Sequence, residues 1–136
     1  MIREICRDTF FLSQRSEEAG AADMQTAADL QETLRAHAGE CVGMAANMIG
    51  VRKRIIAVML GMSPVVMMNP EIVARSGEYE TQEGCLSLSG VRSTVRYRRI
   101  TVVWQDMRMQ KQKRSFEGFP AQIIQHEIDH LNGILI

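Results

Sequence analysis

The chain has 136 residues, 46% hydrophobic and 24% charged, the size and apolar fraction of one folded domain over 1–136 and not of a disordered chain. Sixteen basic side chains balance sixteen acidic ones, so the electrostatic excess of a nucleic-acid binder is missing and no direct nucleic-acid partner is expected. No apolar run reaches the length of a membrane span, and the opening MIREICRDTFFLSQRSEE lacks a secretory apolar core with a cleavage site.

In chain order, the first predicted element is a helix from Ala21 to Ala38, rich in strong helix formers. Met24, Ala27, Ala28, Leu30 and Leu34 recur at helical spacing, and Gly39 supplies the stop. Two short β-leaning runs follow, Arg54 to Leu60 and Val65 to Met68. Gly61, Ser63 and Pro64 form the turn between them, and Asn69-Pro70 closes the second. Glu78 to Leu86, Arg92 to Tyr97 and Ile100 to Gln105 read as further strands, while Lys111 to Phe116 fits a polar edge strand or a loop. The last predicted element is a helix opened by Pro120, with Ile124, Ile128 and Leu131 at i, i+4, i+7 and Asn132-Gly133 at its end. Ile134, Leu135 and Ile136 are expected to pack as a terminal strand or anchor. Helix, antiparallel strands and closing helix make an α+β arrangement, and the ten methionines read mostly as adaptable core filler.

The closing helix contains His126-Glu127-Ile128-Asp129-His130. A spacing of four puts both imidazoles on one helical face, where they can reach one metal ion, and Glu127 beside them is placed to handle the proton of an activated water. A catalytic metal ordinarily has three protein donors. Asp129 points about 100° away from His130 around the helix, which leaves the three cysteines and the remaining carboxylates as sources of the third. Cys6, Cys41 and Cys85 are odd in number and widely spaced, which fits a reducing compartment better than a disulfide framework. Cys85 stands out because it ends a predicted strand in Glu83-Gly84-Cys85-Leu86-Ser87, where Gly84 permits a close backbone approach. A thiolate donor suits Zn²⁺ or Fe²⁺ and not Mg²⁺ or Ca²⁺.

With Cys85 included, three separated segments, Gly43-Met44-Ala45-Ala46, Glu83-Gly84-Cys85-Leu86-Ser87 and His126-Glu127-Ile128-Asp129-His130-Leu131, resemble the signature motifs of the peptide deformylases in that family's order, as does Met68-Asn69-Pro70 between strands. The resemblance runs from about Cys41 to the end of the chain. It implies antiparallel β-sheets packed around a C-terminal metal-binding helix, with an N-terminal helix. It implies removal of the formyl group from the N-terminal methionine of newly made polypeptides in the cytoplasm, on a formyl-Met peptide or on a nascent chain at the ribosome. The implied cofactor is one divalent transition metal, Fe²⁺ in cells and Zn²⁺ or Ni²⁺ in preparations. Cys85, His126 and His130 would be the ligands, Glu127 the general base and then the proton donor, and the Leu86 N–H an oxyanion donor. Glu83 would brace the ligand loop. Val42, Phe119 and Ile123 would line the pocket for the substrate methionine, with Gly43 and Gly84 beside it and Arg96 contacting the peptide backbone. Ile123 has independent support, lying three residues before His126 on the metal face. A monomer or weak dimer is expected.

Two positions depart from the family pattern. Cys41 replaces a glycine and reads as a small buried hydrophobe. Met48 replaces the glutamine whose amide would stabilise the oxyanion, and a thioether donates no hydrogen bond. Losing one such donor costs about 10²–10³ in turnover, and the neighbouring Asn47 should point elsewhere. Many bacterial members also continue past the metal helix, whereas this sequence stops at Ile136. Metal-dependent deformylation is therefore the first reading. The second is a deformylase-like paralogue that binds metal and peptide N-termini with little turnover because of Met48. A general metallopeptidase is a third, weakened by the thiolate.

Overall fold

The computed structural model describes residues 1–85 and 87–135. Five strands form one antiparallel sheet in chain order: β1 (Gly43–Ala45), β2 (Ile55–Leu60), β3 (Ser63–Cys85), β4 (Leu88–Gln105) and β5 (Lys111–Glu117). Three helices flank it, α1 (Thr9–Leu12), α2 (Met24–Ala36) and α3 (Phe119–Leu131). The α+β expectation and both long helices hold.

α2 is entered through a short 3₁₀ turn, Ala21–Asp23, so the helix proper starts three residues later than the periodicity predicts. It buries Ala27, Leu30 and Leu34 completely. Ile55 to Val58 are buried at every position, so both faces of β2 are covered, and α2 and α3 both pack on it. α1 was not foreseen. It is four residues long and is nucleated by Asp8, whose carboxylate accepts from the Phe10 and Phe11 N–H groups.

β3 and β4 are each longer than any predicted strand, and β1 was not predicted. Val65 to Met68 and Glu78 to the region of Cys85 belong to one strand, as do Arg92 to Tyr97 and Ile100 to Gln105. Asn69-Pro70 does not end β3 because the sheet absorbs it as a bulge, with a register shift between Met68 and Glu71 and Asn69 at φ 52. The Asn69 amide is held by Ala19 N–H and C=O and by Gln105, so its side chain supplies the bonds the ladder loses there. Lys111 to Phe116 resolves as strand β5, and the β2–β3 turn is the pair Gly61-Met62, with Ser63 and Pro64 already inside β3. The predicted strand end at Leu86 lies outside the described residues.

α3 is tied at both flanks. Gln125 accepts from the Tyr97 N–H and donates to the Tyr97 carbonyl, so the helix docks where β4 has not yet met β5. At its C-terminus Arg54 donates to the Leu131 carbonyl, and Ser16 N–H does the same. Gly133 follows at φ 75, pressed so closely on Ser13 that a Cβ would lie 2.3 Å from its carbonyl oxygen. Of the expected terminal strand or anchor, the described residues Ile134 and Leu135 form no strand: Ile134 is exposed coil with its N–H bonded to the Asp129 carbonyl, Leu135 is half-buried, and Ile136 lies outside the described residues.

Candidate active site

The β3–β4 ribbon ends against α3, and this brings Cys85 to the two histidines. The donor atoms of Cys85, His126 and His130 all lie within 4.8 Å of one another. The Nε2 atoms of the two rings are 3.0 Å apart. Tetrahedral coordination with bonds of about 2.0–2.3 Å spaces donors roughly 3.5 Å apart, so the trio fits one cation. Burial disfavours charge on both rings. Cys85 and Glu83 nonetheless draw His126 up to about 10, while burial and then His126 drive His130 down to about 3.

Glu83 fixes the first ligand. Its Oε1 is 2.7 Å from His126 Nδ1, leaving Nε2 for the cation. Arg96 donates to both Glu83 oxygens, Gln122 to Oε2 at 2.8 Å, and Arg96 Nη1 to Asp129 at 2.7 Å. Burial works against the Glu83 charge, but His126, Arg96 and Gln122 overcome it and hold the carboxyl at about 2. Arg96 is therefore placed differently from the expected peptide contact. It is 3% exposed, turned into the protein and occupied by two carboxylates. A displacement of one residue along a strand reverses the face on which a side chain falls.

Glu127 is buried beside the trio, and its Oε1 has no hydrogen-bond partner among the described residues. Burial raises its carboxyl to about 7, opposed by His126. β1 approaches α3 closely enough that a Cβ on Gly43 would sit 2.6 Å from Ile123 and 2.9 Å from Glu127 Oε2, so this contact requires glycine.

A cavity of about 260 Å³ opens onto these groups. Val42, Gly43, Met48, Glu83, Gly84 and Ile123 line it, together with Phe119 at the mouth, where Phe119 and Val42 remain exposed. Met48 is buried in this wall, and its Sδ accepts from the Ala45 N–H at 3.4 Å. Asn47 points away, donating to the His130 carbonyl at 2.9 Å. Cys41 is half-buried in the same wall and not a sealed core residue. Burial, then Glu127, Cys85 and Glu40, push its thiol up to about 11. Leu86 lies outside the described residues. Gln122 and Glu40 went unnoticed in the sequence. Gln122 was findable, one helical turn before His126, whereas nothing in the sequence marks Glu40.

A thiolate and two imidazoles converging on one point, with an unpaired buried carboxylate beside them, define a metal-dependent hydrolase on an antiparallel α+β frame. The polypeptide deformylase family model matches residues 4–136. The peptide deformylase of Clostridium beijerinckii is 52% identical over 136 residues, all of both chains. That of Carboxydothermus hydrogenoformans is 44% identical over 108 residues, 79% of this chain and 70% of the relative. Among solved structures, the Legionella pneumophila peptide deformylase superposes with a TM-score of 0.88 at 34% identity, covering 99% of this chain and 83% of that one. A Met-Ala-Ser-bound peptide deformylase from Acinetobacter baumannii gives 0.88 at 30% identity, covering 99% and 97%. The chain belongs to the polypeptide deformylase family.

Proposed function

We propose that this metal-dependent hydrolase removes the formyl group from the N-terminal methionine of newly made polypeptides in the cytoplasm. Cys85, His126 and His130 hold one divalent transition metal, Fe²⁺ in cells, with Zn²⁺ or Ni²⁺ as replacements. The thiolate and imidazole donors select such metals over Mg²⁺ and Ca²⁺. When bound there, the metal supplies a Lewis acid that acidifies water and polarises the formyl carbonyl.

The observation that carries the reading is Glu127. A buried carboxylate with an unpaired oxygen, raised to about 7 beside three metal-ligating groups, is poised to take a proton and give it back. Glu127 removes the proton of the attacking water, then delivers it to the methionine nitrogen as the C–N bond breaks and formate leaves. Val42, Phe119 and Ile123 provide the apolar wall for the methionine side chain. The Met-Ala-Ser bound to the Acinetobacter baumannii relative is a methionine-first peptide of the kind this reaction releases. Met48 has no hydrogen to offer the oxyanion, and its sulfur is itself an acceptor of the Ala45 N–H. The donor assigned to the Leu86 N–H rests on the family resemblance.

The test is formate release from formyl-Met-Ala-Ser by protein loaded with Fe²⁺ under anaerobic conditions. Release that stops with a chelator and returns with Fe²⁺ is expected. Cleavage of an internal peptide bond with the formyl group left in place would overturn the reading.

A further inference from the structure

The cavity wall is apolar at Val42, Ile123 and Phe119, yet Gln122 lines it too. A half-buried amide in such a wall costs free energy unless its polar groups are bonded. One of its hydrogens is: Gln122 Nε2 donates to Glu83 Oε2 at 2.8 Å. Gln122 and His126 stand four residues apart on α3 and therefore share a helical face. Glu83 spans the two, with Oε2 on Gln122 and Oε1 2.7 Å from His126 Nδ1. A single carboxylate from β3 thus clasps successive turns of the helix that carries both imidazoles.

Arg96 reaches the same carboxylate from β4 as a fork, Nη2 to Oε1 at 2.7 Å and Nε to Oε2 at 3.0 Å. The fork balances the charge and ties Glu83 to the ribbon, whereas Gln122 ties it to α3. Without Gln122, His126 is the one α3 side chain still bonded to Glu83 among the described residues, so ring and carboxylate can swing together. The direction of His126 Nε2 depends on that swing. We infer that Gln122 is a positioning residue for the metal centre, acting through Glu83 on the orientation of His126. The inference rests on the reading that Cys85, His126 and His130 hold the metal. A group bonded directly to a ligand is worth about 10–100-fold in metal affinity; Gln122 acts one bond further out with the fork still in place, so roughly three- to tenfold is expected.

The experiment uses three variants of the full chain. Gln122→Met keeps the length and removes the donor, Gln122→Glu sets two carboxylates together, and Gln122→Arg retains a donor. Zn²⁺ affinity is measured by competition with a chromophoric chelator, and the His126 Nδ1–H is followed by proton NMR with and without Zn²⁺. In Gln122→Met the affinity should fall by the expected factor, and the Nδ1–H signal should move upfield and exchange faster with water as its bond to Glu83 weakens. Gln122→Glu should lose at least as much, and Gln122→Arg should restore both readouts. A His126 signal that does not move in Gln122→Met overturns the assignment whatever the affinity does. Equal losses in Gln122→Met and Gln122→Arg overturn it too, because packing and not the donated hydrogen would then be at work. Failure of the unaltered protein to bind Zn²⁺ overturns the metal reading, while the His126 signal without metal still decides for or against Gln122.

Discussion

Glu127 and Met48 face the same cavity and pull the rate in opposite directions. Replacing Glu127 with Gln keeps the shape and removes the proton acceptor, so kcat should fall by about 10²–10⁴ while metal content measured by emission spectroscopy stays at one per chain. Met48→Gln should do the reverse, raising kcat by about 10² with unchanged metal content, because it restores an amide donor where a thioether now sits. No gain would mean that the wall already stabilises the oxyanion without that residue. At this scale most of the metal centre was legible. Two histidines four apart must share a helical face, and Glu127 must lie beside them. Arg96 was not, because its partners Glu83 and Asp129 lie on another strand and on α3, remote from it in sequence. Arg96 lies opposite Tyr79 in the unbroken register from Ala74↔Thr101 to Gly84↔Val91, and its guanidinium meets Glu83 and Asp129.

Among the elements, α3 depends on its exit as much as on its apolar stripe. Gly133 takes φ 75 directly after the helix, with the Ser13 carbonyl in the space a Cβ would need. Gly133→Ala should therefore lower stability by about 2 kcal/mol or more, read from the midpoint of urea unfolding, since left-handed strain and a backbone clash add. The exit was readable from Asn132-Gly133, and the helix from its periodicity. β3 was misread because Asn-Pro ordinarily stops a strand. Here the Asn69 side chain replaces the missing ladder bonds with contacts to Ala19, fifty residues earlier, and Gln105, thirty-six residues later. Those partners are remote in sequence, which is why the bulge was invisible before folding. β1, only Gly43–Ala45, is too short to show a period, yet it supplies the close approach that seats Glu127.

Across the whole molecule, the N-terminal segment is fastened to α2 by charge. Asp29 is 1% exposed and binds the Met1 ammonium at 2.9 Å and Arg3 at 3.0 Å. The Met1 ammonium first, and then Gln25 and Arg3, lower its carboxyl to about 2 against the effect of burial. An unfolded aspartate titrates near 3.9, so this contribution is complete above about pH 4 and is lost as the pH falls towards about 2. Thermal unfolding followed by circular dichroism should show Tm dropping through that window, with a shallower drop in Asp29→Asn. The larger consequence of the fold is convergence: a sulfur from the tip of the β3–β4 ribbon and two nitrogens from α3, brought to one point by strands that pair across the length of the sheet. X-ray absorption at the metal edge of the loaded protein tests this most directly. The predicted result is one sulfur at about 2.3 Å and two imidazole nitrogens at about 2.0–2.1 Å, the sulfur shell vanishing in Cys85→Ser. A spectrum with only oxygen and nitrogen neighbours in the unaltered protein would contradict it.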